Sequence, residues 1–173
     1  MEYKKKVLLI GGSGIISSSI CNKAVDEGMQ VSIVNRGRRK KFINENANLI
    51  KADIRNESID DLREKINVAQ YDVVMDFITY NTQQLKKILS VIKGNCKQYI
   101  FVSSATAYKE CDEHHIYRDD DPIGNESWKY SVDKSECEWF LARHKEELGF
   151  EYTIVRPYVT YGCLLYTSDA ADE

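Results

Sequence analysis

The chain contains no long apolar run. Its first hydrophobic stretch, Val7 to Ile10 in MEYKKKVLLIGGSG, is stopped at once by Gly11 and Gly12. That is too short for the apolar region of a secretory leader, despite the lysines ahead of it, and far too short to cross a bilayer. A first strand is expected there, in a cytoplasmic protein with no membrane partner. The five cysteines, Cys21, Cys96, Cys111, Cys137 and Cys163, show neither close pairing nor metal-ligand spacing, so free thiols and no metal site are expected. An excess of one charge is also missing. Lysine and arginine total 24 against 27 aspartates and glutamates, a formal net charge of -3, which exerts no global pull on nucleic acid or anionic lipid. Repeats, low-complexity tracts and linkers are absent, and 173 residues suit one domain with a real core.

What is present is a regular alternation of apolar strands and amphipathic helices. Strands are expected at 6–11, 31–35, 48–52, 71–77, 98–104 and 151–157, and helices at 14–27, 57–67, 82–93 and 127–147. Most of the strands are continuous apolar runs, the mark of strands buried on both faces, so the pattern predicts an α/β fold with a doubly wound parallel sheet. The last helix sets Trp128, Val132, Trp139, Phe140 and Leu141 against charged residues on its other faces, with Gly149 as its C-cap. Residues 109–126, KECDEHHIYRDDDPIGNE, are polar and acidic and read as a surface loop.

The segment IGGSGIISSSI, residues 10–20, joins the first strand to the first helix. Glycines at such a turn admit a ligand close to the backbone, and the helix N-terminus offers unpaired N–H groups to a phosphate. Gly11 and Gly14 follow the GxxGxxG spacing, with Ser17 at the third position. In this the chain resembles the extended short-chain dehydrogenase/reductases, the family of NAD(P)-dependent epimerases and dehydratases. The resemblance implies a Rossmann fold and a dinucleotide site, with Gly11, Ser13, Gly14, Ile15 and Ile16 around the diphosphate. Asp53 and Ile54 would border the adenine, and Phe77 and Ile78 would line the cofactor's path.

After the second strand of such a unit an acidic residue usually holds the ribose 2′-hydroxyl. Here the sequence reads VSIVNRGRRKK, with Asn35 in that place, then Arg36, Arg38, Arg39, Lys40 and Lys41. A carboxylate would repel a 2′-phosphate, whereas an arginine pairs with it. NADP is therefore expected over NAD, with Arg36 nearest to it. A solvated basic loop and an RNA-contacting patch are the other readings of this run.

YSVDK, residues 130–134, sets Tyr130 and Lys134 four apart on one helix face. An ordinary phenol ionises near about 10, so acid–base work near neutrality needs roughly 3–4 kcal/mol of preferential phenolate stabilisation, which a fixed ammonium can supply. With 11 tyrosines in the chain, the pair alone is a weak signal. It falls, however, between FVSSATAY (101–108) and VRPYVTYG (155–162), which resemble the family's serine-bearing strand end and the segment after its sixth strand. The resemblance implies Tyr130 as general acid/base and Lys134 on the nicotinamide ribose. Ser104, with Thr106 beside it, would bind the reacting carbonyl or alcohol. His114, His115 and His144 read as surface or loop residues.

The last segment, CLLYTSDAADE (163–173), resembles an in-frame translation of sequencing-library adaptor, so the native domain is expected to span 1–162 and to stop after about the sixth strand. A substrate lobe would then be missing. The longer protein is expected to act on a small-molecule hydroxyl or carbonyl, sugar or sugar nucleotide, as a homodimer. The alternatives are a dinucleotide sensor or RNA binder without turnover, and an inactive fragment whose sheet edge promotes aggregation.

Overall fold

The computed structural model describes residues 5–38, 43–66, 70–112 and 114–160. Arg39, Lys40 and Lys41 of the basic run, the boundary at Gly162 and the 163–173 tail with Cys163 lie outside the described residues.

Six strands carry the fold: β1 (Lys6–Ile10), β2 (Gln30–Asn35), β3 (Asn48–Lys51), β4 (Tyr71–Asp76), β5 (Cys96–Val102) and β6 (Glu151–Val155). They form one sheet in the order β3-β2-β1-β4-β5-β6, and every neighbouring pair is parallel. Five helices accompany them: α1 (Ile15–Asp26), α2 (Ile59–Ile66), α3 (Thr82–Ile92), α4 (Lys129–Arg143) and α5 (Lys145–Leu148). Among the described residues the expected elements all form; the starts of β1, β3, β4, β6 and α3 fall where expected, and apart from the last helix the other ends differ by at most two residues. The 109–126 segment is loop, pinned by one antiparallel bridge between Tyr108 and Ile123.

Alternation along β1 builds two cores. Leu8 and Ile10 join Leu62, Ile66, Leu85, Ile88, Ile92 and Leu141 on the face covered by α2, α3 and α4. Val7 and Leu9 join Cys21, Ala24, Val31 and Ile33 under α1. At the edge, β6 leaves Glu151, Thr153 and Val155 exposed.

The predicted helix 127–147 is divided. At His144 the backbone leaves the helix (φ -107°, ψ 15°), while its imidazole stacks on Phe140 and Nδ1 lies 2.9 Å from the Phe140 carbonyl oxygen. A short α5 follows and ends at Gly149 in the left-handed region, as expected (φ 74°). The buried face of α4 also differs from the apolar stripe read in the sequence. Ser131, Lys134, Ser135, Cys137, Glu138 and Leu141 point inward, and Trp128 and Trp139 remain exposed. The helix packs a largely polar face inward because that face meets the ends of β4 and β5, where backbone groups and charged partners await.

Strand order reverses direction between β1 and β4, so the loops after these neighbours diverge to opposite sides of the sheet and leave a crevice at their carboxyl ends.

Candidate functional site

A cleft of about 710 Å³ occupies that crevice. The glycine turn forms its floor. Gly11 holds φ +92°, and a Cβ there would lie 2.2 Å from Ile78 Cγ2, so glycine is required both by backbone and by space. Gly14 differs: its φ is -90°, and a Cβ would meet only Ser17 Oγ, at 3.5 Å. It lines the cleft, so freedom for a ligand explains this glycine better than the fold does. Ser17, in place of a third glycine, is buried. Its Oγ accepts the Gly14 N–H at 2.9 Å and donates toward the Gly11 carbonyl at 3.1 Å, which ties the turn to the helix. The N–H groups of Ile15 and Ile16 open α1, with no carbonyl inside the helix to receive them. Gly11, Ser13, Gly14, Ile15 and Ile16 all line the cleft.

The end of β2 forms one wall. The Gly37 N–H donates to Asn35 Oδ1 at 2.7 Å, which holds the amide so that its Nδ2 is buried without a hydrogen-bond partner. Asn35, Arg36 and Arg38 line the cleft, the two guanidinium side chains belonging to exposed residues. Asp53 and Ile54, just after the neighbouring strand β3, line the cleft too. Asp53 Oδ1 accepts the Arg55 N–H at 3.1 Å, and Oδ2 accepts from Asn56 Nδ2 at 3.0 Å. Partial burial opposes ionisation of this carboxyl, but those hydrogen bonds and the charge of Arg36 hold it below its ordinary value. It therefore caps its own turn while facing the cleft.

Phe77 and Ile78 follow β4 and line the cleft as expected. What fixes them is Asp76, a residue the sequence reading did not single out. It is fully buried. Oδ1 accepts the N–H groups of Ile78 and Thr79, each at 3.0 Å, and Oδ2 accepts the Thr79 hydroxyl at 2.6 Å and the Tyr99 hydroxyl at 2.8 Å. Arg55 and Tyr80 were missed too. Both line the cleft, with the Arg55 guanidinium 5.4 Å from the centroid of the Tyr80 ring.

At the far end stand Tyr130 and Lys134. Ser104 lies just beyond the lining, at the start of a single 3₁₀ turn (Ala105–Ala107). Thr106 points its hydroxyl at Ser104 Oγ, 3.0 Å away, and its N–H at the same atom at 3.2 Å. Lys134 is buried, and Nζ donates to the carbonyl oxygens of Thr79 at 2.7 Å and Val102 at 2.8 Å. The faces of Phe101, Tyr80 and Tyr130 surround the ammonium at 4.7, 5.4 and 5.7 Å from their centroids. Burial lowers the Lys134 pKa, opposed by Asp76, Cys137 and Glu138. The phenol of Tyr130 is pushed up, first by burial and then by Tyr80, with the Ser104 hydrogen bond pulling it down. The direction for the phenol is thus opposite to the depression looked for from the Tyr–Lys spacing, and the ammonium donates to two carbonyls.

The histidines take no part. His115 Nε2 pairs with Asp121 at 2.8 Å in the loop, His144 sits on Phe140, and neither these nor His114 lines the cleft. Cys21, Cys96 and Cys137 are buried free thiols and Cys111 an exposed one. Burial pushes the thiol of Cys137 up to about 12. No described helix is long and apolar enough to cross a membrane.

Known proteins share this fold. The model of the NAD dependent epimerase/dehydratase family matches residues 7–171. A putative UDP-glucose 4-epimerase of Methanocaldococcus jannaschii is 27% identical over 90% of this chain and 56% of its own length. The chloroplast stem-loop binding protein of 41 kDa b of Arabidopsis thaliana is 24% identical over 94% of this chain and 44% of its own. The fold superposes on the UDP-glucose 4-epimerase of Thermus thermophilus, solved in complex with NAD, with a TM-score of 0.77 at 16% identity, covering 87% of this chain and 54% of that one. The chain thus spans about half the length of the curated relatives it matches.

Proposed function

The chain belongs to the NAD dependent epimerase/dehydratase family, and from that membership we propose that it binds a nicotinamide dinucleotide, NADP in preference to NAD, and acts on the hydroxyl or carbonyl of a sugar-like small molecule. The observation that carries this reading is that the glycine turn, Tyr130 and Lys134 line one continuous cleft. The residues present fit a dinucleotide. Gly14 leaves room, the first N–H groups of α1 are open, and Asn35 Nδ2 is a buried donor without a partner in the wall. For the 2′ position, the absence of a carboxylate at Asn35 and the presence of Arg36 and Arg38 favour a phosphate.

When bound, the nicotinamide would supply a hydride acceptor and donor. The chain's own part is proton movement and orientation. Ser104, itself oriented by Thr106, would hold the reacting oxygen. Tyr130 would take or give the proton at that oxygen. Lys134 would keep a positive charge beneath the phenol, held by the carbonyls of Thr79 and Val102. The Methanocaldococcus and Thermus proteins are named for UDP-glucose, which makes a nucleotide sugar the first substrate to offer.

The test is Tyr130→Phe. A loss of turnover on the order of 10²-fold or more is expected from removal of the general acid/base, with NADP binding retained; unchanged turnover overturns the enzymatic reading. The name of the Arabidopsis relative favours a second reading, a stem-loop RNA binder without turnover. RNA binding abolished by replacing Arg36 and Arg38, alongside absent turnover, would establish that instead.

A further inference from the structure

Ser104 is held in place by a closed ring of contacts at the edge of the cleft. The N–H of Ser103 donates to the Val155 carbonyl at 2.8 Å, and that of Ala105 donates to the Pro157 carbonyl at 3.0 Å. The backbone around Ser104 is thus bonded to both neighbours of Arg156. The side chain of Arg156 turns to α4, where Nε lies 3.2 and 3.0 Å from the two oxygens of Glu138 and Nη2 lies 2.7 Å from Oε2. Glu138 closes the ring by accepting the hydroxyl of Ser103. It lies one turn beyond Lys134 and two beyond Tyr130, and only 2% of its side chain is exposed. The same guanidinium reaches outward, donating from Nη1 to the Tyr108 hydroxyl at 2.8 Å and the Asp119 carbonyl at 3.0 Å, with the Tyr108 ring beneath it.

We infer that the Glu138–Arg156 pair is the positioning element of the acid–base site: it sets α4, which carries Tyr130 and Lys134, at a fixed depth and rotation against the strand end that carries Ser104. The inference rests on the reading of Ser104 and Tyr130 as the acid–base pair. Stability alone does not call for such a pair, since well-packed apolar side chains of similar volume often replace a buried ion pair without loss. A bidentate arginine does what they cannot, fixing the distance and angle between three elements. Neither residue lines the cleft, so both act through Ser104 and Tyr130.

Tyrosine labelled with ¹³C at Cζ, assigned by Tyr130→Phe, reports the ionisation of this phenol by NMR without any substrate. In the native background Ser104→Ala is expected to move the Tyr130 titration upward, because the neighbouring Ser104 hydroxyl pulls the phenol down. In the Glu138→Gln background the titration is expected to start higher, and Ser104→Ala to add no further shift, because the contact is already lost. Tyr80 and Lys134, the other groups beside the phenol, are unaltered in every variant. Full additivity of the two shifts overturns the proposal, since a purely structural role would lower the melting temperature and leave the Ser104 effect intact. If Glu138→Gln does not fold, Arg156→Lys keeps the charge and loses the fork, with the same two outcomes. A parallel NADP titration of the native chain separates the inferences: failure to bind NADP defeats the cofactor reading and leaves the Ser104–Tyr130 coupling measurable.

Discussion

Lys134 donates from Nζ to the backbone carbonyl of Thr79 at 2.7 Å, so the ammonium of the Tyr-x-x-x-Lys pair also ties α4 to the loop after β4. A second bond, to Val102 at 2.8 Å, ties it to β5. Lys134→Met would leave both carbonyls facing an apolar side chain. The expected loss is about 2–4 kcal/mol of unfolding free energy, from a charged hydrogen bond and an unsatisfied acceptor. Denaturant unfolding at neutral pH measures it. A Met variant as stable as the parent would show that the lysine has no structural share.

The raised phenol of Tyr130 gives a signed pH dependence. A folded-state value above the ordinary one of about 10 means that the folded chain holds this proton more tightly than the unfolded chain does. The stability it contributes is fully present below about pH 10 and is lost as pH rises through the folded value. Tyr130→Phe should therefore unfold less readily than the parent on the alkaline side, once both are scaled to their neutral stability. Tyr99, raised further by full burial and by Asp76, titrates in both proteins and cancels. Parallel alkaline loss in the two proteins would contradict the assignment.

Much of this fold is legible along the chain because strands buried on both faces must be apolar throughout. Leu8, Leu9 and Ile10 display that rule, and the glycine turn follows directly after them. The site is less legible where burial is polar. Helix α4 looks amphipathic through its tryptophans, yet its inward residues include Lys134, Ser135 and Glu138, whose partners include Val102, Ala107 and Arg156, 32, 28 and 18 residues away. Asp76 and Tyr80 have the same difficulty. A single aspartate or tyrosine in the sequence carries no sign that a strand end will wrap around one or that a guanidinium and an ammonium will flank the other.

The two glycines of the turn make opposite predictions. Gly11→Ala forces an L residue to φ +92° with a Cβ 2.2 Å from Ile78, and a loss of about 2–4 kcal/mol is expected from backbone strain and overpacking together. Gly14→Ala meets no atom closer than 3.5 Å at an ordinary φ, so its melting temperature should match the parent's. Its NADP affinity should nevertheless fall about tenfold or more, roughly 1.4 kcal/mol, because the new methyl enters the space next to the helix N-terminus. Calorimetric melting and a binding titration on the same samples resolve the two. Equal NADP affinity of Gly14→Ala and the parent would place the ligand elsewhere.

Arg36 stands where the β2 strand ends and lines the cleft together with Asp53. Its charge is a minor contributor to holding that carboxyl below its ordinary value. If the arginine receives a 2′-phosphate, Arg36→Ala should weaken NADP binding by about 1.5–3 kcal/mol, the range for hydrogen bonds to charged groups, while NAD affinity stays where it was. Added salt should narrow the gap between the two cofactors in the parent, since the contact lies at the solvent-exposed mouth. Isothermal titration of both dinucleotides into both proteins gives the four constants needed. Equal losses for NADP and NAD would reassign Arg36 to a contact common to both molecules, and the preference for NADP would then have no support at the end of β2.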